Sequence, residues 1–150
     1  MTRILMVCLG NICRSPLAEG ILKSKVDASK VFVDSAGTAA YHVGELPDSR
    51  SIQVAKKYGI DLTSQRARKF TTKDFSKFDV IYAMDENNYR NIQKLAKNKS
   101  EAKKVKMILN ESNPQQNLSV PDPYYGGDEG FENVYQMLDE ACEIIANRLM

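Results

Sequence analysis

The run Ile4-Leu5-Met6-Val7-Cys8 limits the possible folds of this chain more than any other segment. It is apolar throughout, breaks at Gly10-Asn11, and is followed from Pro16 by a stretch rich in Ala, Leu and Ile. An unbroken apolar run bounded by turn residues reads as a buried strand, so the segment is strand, loop, helix. Three further strand candidates are Val31-Phe32-Val33, Asp79-Val80-Ile81-Tyr82-Ala83-Met84 and Val105-Lys106-Met107-Ile108-Leu109, with helical stretches between them. Alternation of this kind predicts an α/β fold with a parallel sheet.

The helices carry their own signals. Asp48 is placed to cap a helix reaching Tyr58, and Gly59 to end it in a left-handed conformation. Asp85 opens a second, in which Tyr89, Ile92, Leu95 and Ala96 share a face. Near the C-terminus Phe131, Val134, Tyr135, Leu138, Ala141, Cys142, Ile145 and Leu149 recur at three and four residues, a face made to pack on the sheet. Cys142 lies in that stripe and reads as inert core. The lysines of residues 94–106 read as a solvated helix face and loop. No repeat, linker or second domain interrupts residues 1–150.

Composition excludes several classes of function. Lys and Arg number 21 against 19 Asp and Glu, and a net charge of +2 gives no general attraction for nucleic acid or an anionic membrane. Any anion must be bound locally. The N-terminus Met-Thr-Arg-Ile-Leu lacks the longer apolar region of a secretory signal, so a cytoplasmic location is expected. Three cysteines, two of them five apart, are poor material for a disulfide scaffold and fit a reducing compartment. His42 is the single histidine and no Cys-x-x-Cys occurs, so no zinc site is recognisable.

Ligands of open α/β sheets sit at the carboxyl ends of the strands, where the first strand here runs into Cys8-Leu9-Gly10-Asn11-Ile12-Cys13-Arg14-Ser15-Pro16. Pro16 suits the first helical position and Ser15 the cap before it, leaving the preceding N–H groups to curl into one oxyanion nest. The helix dipole, those N–H groups and Arg14 all favour the Cys8 thiolate, which is expected to have a lowered pKa and act as a nucleophile. Arg14 brings two parallel donors to two phosphoryl oxygens. Taken singly, Cys8 is compatible with a strand end, Arg14 with a surface charge, Ser15 with a cap and Asn11 with a left-handed turn; the Cys-x5-Arg-Ser combination in strand, loop, helix context favours the functional reading. Phosphoryl transfer also needs an acid for the leaving oxygen, and Val120-Pro121-Asp122-Pro123-Tyr124-Tyr125 supplies Asp122, its backbone fixed by prolines and its pKa open to elevation by tyrosine neighbours. The alternative for Asp122 is an ordinary turn.

These segments resemble the low-molecular-weight protein tyrosine phosphatases. Asp34-Ser35-Ala36-Gly37-Thr38 and Ala83-Met84-Asp85-Glu86-Asn87-Asn88 extend the resemblance over nearly the whole chain. It implies a four-stranded parallel sheet with helices on both faces, a phosphate-binding loop of Leu9, Gly10, Asn11, Ile12, Cys13, Arg14 and Ser15 after the first strand, and no metal or organic cofactor. It makes Cys8 the nucleophile, Arg14 the phosphate clamp, Ser15 a hydroxyl donor to the thiolate and Asp122 the general acid, then base. Asn11 then holds the loop in a strained conformation with Ser35, and Asp85 orients Arg14 while also capping its helix. Gln65 stands where family members often place a histidine supporting the loop asparagine; an amide can donate a similar bond without titrating.

The expected reaction is hydrolysis of phosphotyrosine in proteins, and of small aryl phosphates, through a cysteinyl-phosphate intermediate, with inorganic phosphate and other oxyanions as inhibitors. Tyr41, Tyr124 and Tyr125 are expected to form the aromatic substrate mouth; core packing is the alternative for Tyr41. Two rival readings are arsenate reduction, which needs resolving thiols and for which this chain has beyond the loop only Cys142, and a phosphotyrosine-binding module without turnover. Finally, a loop curled round one phosphate folds back on itself, so Cys13 is expected to be the redox partner that forms a disulfide with oxidised Cys8; its alternative is to fill apolar space behind the loop.

Overall fold

The computed structural model describes residues 1–150 except for the side chain of Tyr125. Four strands, β1 (Thr2–Cys8), β2 (Val31–Gly37), β3 (Val80–Ala83) and β4 (Val105–Met107), form one parallel sheet in the order β2-β1-β3-β4. β1 is internal, with Thr2 opposite Val31 through Cys8 opposite Gly37 on one side and Ile4 opposite Val80 through Val7 opposite Ala83 on the other. This is why its apolar run does not alternate: the strand is covered on both faces.

The helices are α1 (Arg14–Lys25), α2 (Ser49–Lys57), α3 (Asp74–Lys77), α4 (Glu86–Leu95), α5 (Lys99–Ala102) and α6 (Gly127–Leu149). Ile4, Met6 and Cys8 face a large core filled by Leu17, Ile21 and Leu22 of α1, Val54 of α2 and the apolar stripe of α6. Leu5 and Val7 face a smaller core with Phe75 of α3, Phe78 just after that helix, and Ile92 of α4. Each large side chain so buried contributes about 1.5–3 kcal/mol, which holds α1 and α6 against one face and α3 and α4 against the other. The six stripe residues from Phe131 to Cys142 and Ile145 are buried as their spacing requires, and Leu149 is partly buried.

Asp48 caps α2 by accepting from the Arg50 N–H at 2.8 Å, and Gly59 beyond its end takes φ +81°. Other boundaries move. β2 continues past its apolar run through Asp34, Ser35 and Gly37 because the β1 ladder carries it. β4 stops at Met107, and Ile108–Asn110 form a 3-10 turn. On α4, Ile92 is buried and Tyr89 partly so, while Leu95 is exposed. Among the described residues no helix is long and apolar enough to cross a membrane.

From β1 the chain crosses to β2, then returns past β1 to β3. The connections diverge at the carboxyl end of β1, which opens the crevice where such sheets bind ligands. Cys8 is the last residue of that strand.

Candidate active site

Residues 9–13 link β1 to α1 as a tight curl whose carbonyls face outwards. The oxygens of Cys8, Leu9 and Ile12 accept from the N–H groups of Thr38, Ala39 and Asp48 at 2.9, 2.9 and 2.8 Å, and that of Cys13 accepts from Ser51 Oγ at 3.1 Å. In a planar trans peptide the N–H opposes the C=O, so the amides of Leu9, Gly10, Cys13 and Arg14 turn inwards, beside the N-terminus of α1. Asn11 makes the reversal with φ +58°, which Asn tolerates better than most residues. Gly37 at the end of β2 permits the close approach: a Cβ there would lie 2.7 Å from the Leu9 oxygen. The helix begins two residues earlier than its cap signals indicate. Cys13 is the N-cap residue and makes no side-chain cap, Arg14 is the first helical residue, and Ser15 and Pro16 follow inside the first turn, where a missing N–H is still harmless.

Ser15 is thereby released for another task. Asn11 Oδ1 accepts from the Arg68 N–H at 3.0 Å, which fixes the orientation of the amide. Its Nδ2 then donates to Ser15 Oγ at 2.8 Å and Ser35 Oγ at 3.0 Å. Ser35 Oγ donates to the buried Glu19 carboxylate at 2.6 Å. Ser15 Oγ, which accepts from Asn11, also lies within hydrogen-bond distance of Cys8 Sγ, 3.0 Å away. Burial pushes the Glu19 carboxyl up, against the opposing pull of Lys23 and Ser35.

Arg14 is buried, and its Nη1 donates to Asp85 Oδ2 at 2.7 Å and to the Val120 carbonyl at 3.0 Å. Burial opposes its charge, but Cys8 and Asp85 outweigh burial and hold the guanidinium above its ordinary value. Asp85 serves both expected purposes: Oδ2 holds Arg14 while Oδ1 accepts from the Asn88 N–H at 2.7 Å as the N-cap of α4.

These groups surround a cavity of about 330 Å³ lined by Cys8, Leu9, Ile12, Arg14, Tyr41, His42, Asp122 and Tyr124, among others. Cys8 is 2% exposed and lines this cavity. Tyr41 is 74% exposed, so the core alternative does not apply to it. Asp122 is also exposed, and its Oδ1 accepts from the Tyr124 N–H at 3.0 Å. Of the two tyrosines expected to shield it, Tyr124 places its ring 5.1 Å from the Arg50 guanidinium carbon, and the side chain of Tyr125 lies outside the described residues.

The family model for low molecular weight phosphotyrosine protein phosphatases matches residues 3–150. The chain belongs to this family. The family's Schizosaccharomyces pombe protein is 45% identical over 143 residues, 91% of this chain and 90% of its own length. The human one is 41% identical over 143 residues, 93% and 90% of the two chains. A crystal structure of a protein tyrosine phosphatase from Entamoeba histolytica superposes with a TM-score of 0.92 at 37% identity, covering 99% of this chain and 97% of that one.

One loop support expected for this family member is not made. Gln65 does not bond to Asn11; its Nε2 donates to the Pro16 carbonyl at 3.1 Å and its Oε1 is buried without a hydrogen-bond partner among the described residues. The Arg68 backbone N–H takes the expected place, since a main-chain donor from the adjoining segment reaches Asn11 first. Sequence reasoning also missed Glu19, Arg68 and the Val120 carbonyl. Glu19 carries the one legible signal, an acidic residue amid the apolar positions of a helix that must be covered.

All three cysteines are free and buried. Burial, then Asp48 and Cys8, push the Cys13 thiol up to about 12. Cys142 sits in the core with its sulfur 3.8 Å from the Ala18 carbonyl, and burial raises its pKa too. That position removes it as a resolving thiol and with it the case for arsenate reduction in this phosphatase family member.

Proposed function

We propose that residues 1–150 act as one cytoplasmic phosphatase unit that hydrolyses phosphotyrosine in proteins, and small aryl phosphates, by two in-line displacements. Cys8 attacks phosphorus while Asp122 protonates the departing phenol; Asp122 then takes a proton from water, which releases inorganic phosphate. The inward loop amides and Arg14 stabilise the three equatorial oxygens in both steps, the dominant contribution for a loose phosphoryl transition state. Ser15 stabilises the sulfur anion as attacking and leaving group. Asn11, Ser35 and Asp85 hold the loop and clamp, Tyr41 and Tyr124 flank the ring, and phosphate and similar oxyanions compete for the nest. Oxidised Cys8 is captured by Cys13 and restored by thiol reductants. Nothing in this scheme engages nucleic acid or membrane.

The observation that carries the reading is the Cys8 sulfur lining the cavity together with Arg14 and Asp122, 3.0 Å from the Ser15 hydroxyl. Cys8→Ser is expected to reduce turnover of 4-nitrophenyl phosphate and phosphotyrosyl peptides by at least about 10⁴-fold while vanadate still binds in calorimetry. Turnover near the wild-type rate would place the nucleophile elsewhere.

A further inference from the structure

We propose that Arg50 is a positioning residue for Asp122, coupling the acid's loop to the nucleophile's loop through the first turn of α2; the proposal rests on the acid role of Asp122. That turn is joined to the phosphate loop by two bonds, Asp48 N–H to the Ile12 carbonyl at 2.8 Å and Ser51 Oγ to the Cys13 carbonyl at 3.1 Å. Between those two anchors stands Arg50. Its Nε and Nη2 donate to the two oxygens of Asp48 at 3.1 and 3.2 Å, which fixes the plane of the guanidinium. The remaining nitrogen, Nη1, donates to the Tyr124 carbonyl at 3.0 Å. The plane lies against two rings, 5.1 Å from that of Tyr124 and 4.6 Å from that of Phe131.

Tyr124 is the residue whose N–H holds the Asp122 carboxylate. Arg50 therefore grips the carbonyl of the same residue whose amide orients the acid. On the other side of Asp122, Arg14 grips the Val120 carbonyl, and the Val120 N–H donates to the Met84 carbonyl at 2.8 Å. The exposed acid is thus suspended between two arginines, one inside the phosphate nest and one mounted on a turn bonded to it. Positioning is needed here because Asp122 has no burial of its own to fix it. Only an acid at hydrogen-bond distance from the leaving oxygen can transfer its proton, and a shift of about 1 Å costs up to about 100-fold.

The test is stopped-flow measurement of phosphoenzyme formation in Arg50→Ala, Arg50→Lys, Asp122→Asn and the Arg50→Ala/Asp122→Asn double variant. Phosphotyrosine, whose phenolate leaves poorly, is compared with 4-nitrophenyl phosphate. Arg50→Ala is expected to slow formation by about 30-fold with phosphotyrosine and by less than about threefold with the nitrophenyl ester. Carboxymethylation of Cys8 by iodoacetate is expected to keep its wild-type rate. Arg50→Lys keeps a cation beside Asp48 without the fork that spans to Tyr124, and should show the same pattern at about tenfold. Added to Asp122→Asn, Arg50→Ala should cost nothing more, because its effect passes through the carboxyl. Equal losses with both substrates, a full additional loss in the double variant, or wild-type rates for Arg50→Lys would overturn the role of Arg50. If Asp122→Asn itself loses equally with both substrates, the acid assignment fails and the proposal fails with it.

Discussion

Three thiols within one small protein are given different chemistry by their immediate neighbours. Cys8 lies 3.0 Å from the Ser15 hydroxyl and opens onto a cavity. Cys13, five residues on, is enclosed beside Asp48, and Cys142 is enclosed in hydrocarbon. A raised thiol pKa means that the neutral form persists further towards alkaline pH, and only the thiolate is alkylated. Iodoacetamide at about pH 7.5 is therefore expected to label Cys8 alone in the folded protein, with inorganic phosphate slowing the reaction. Cys13, at about 12, should label appreciably only in strong alkali or after unfolding. Peptide mapping by mass spectrometry reads this directly, and labelling of Cys13 at the rate of Cys8 would contradict its enclosure. In the proposed redox cycle Cys8 is the thiol that meets peroxide first, and Cys13 captures the sulfenic acid so formed.

At the scale of elements, the site is a junction of β1, α1, β2, α2 and the Asp122 loop, each contributing a different kind of group. The β2 strand contributes Ser35, which links Asn11 to Glu19 of α1. Ser35→Ala removes one acceptor from the Asn11 amide and one donor from a buried carboxylate, at a cost of about 1–3 kcal/mol. We expect a lower thermal midpoint together with a roughly tenfold fall in kcat/KM for 4-nitrophenyl phosphate. An unchanged kcat/KM would show that Asn11 holds the loop without it. The strand, loop, helix core of this junction was legible because an unbroken apolar run and the Cys-x5-Arg-Ser spacing are properties of the chain alone. The extension of β2 through Asp34 and Ser35 was not, since those polar residues pair with β1 for the sake of partners distant in sequence. Likewise the helix started at Arg14, not at the Ser15-Pro16 cap signal, because Ser15 is used by Cys8 and Asn11. The Arg68 amide could not be found at all: every residue but proline has an N–H, so a main-chain donor leaves no mark in a sequence. Gln65 was chosen by side-chain type where position decided.

For the whole molecule, the order β2-β1-β3-β4 has a consequence for how activity returns after denaturation. The first strand in the chain is internal to the sheet, and its second edge is closed only by residues 80–83, the partners of Ile4 to Val7. Asp122, the proposed acid, arrives later still, when Val120 bonds to Met84 just beyond β3. Pairings so distant require closing long loops before any contact rewards them, and this slows folding. Until β3 docks, an apolar strand presents an open edge, a template for a second chain. On dilution from urea we expect helical ellipticity to recover before phosphatase activity, and the recovered fraction to fall as protein concentration rises. Inorganic phosphate, proposed above to compete for the nest, should raise the unfolding midpoint without hastening β3 docking. Placing the nucleophile at the centre of the sheet thus makes the reactive sulfur one of the first residues in the chain and catalytic competence one of the last properties to appear.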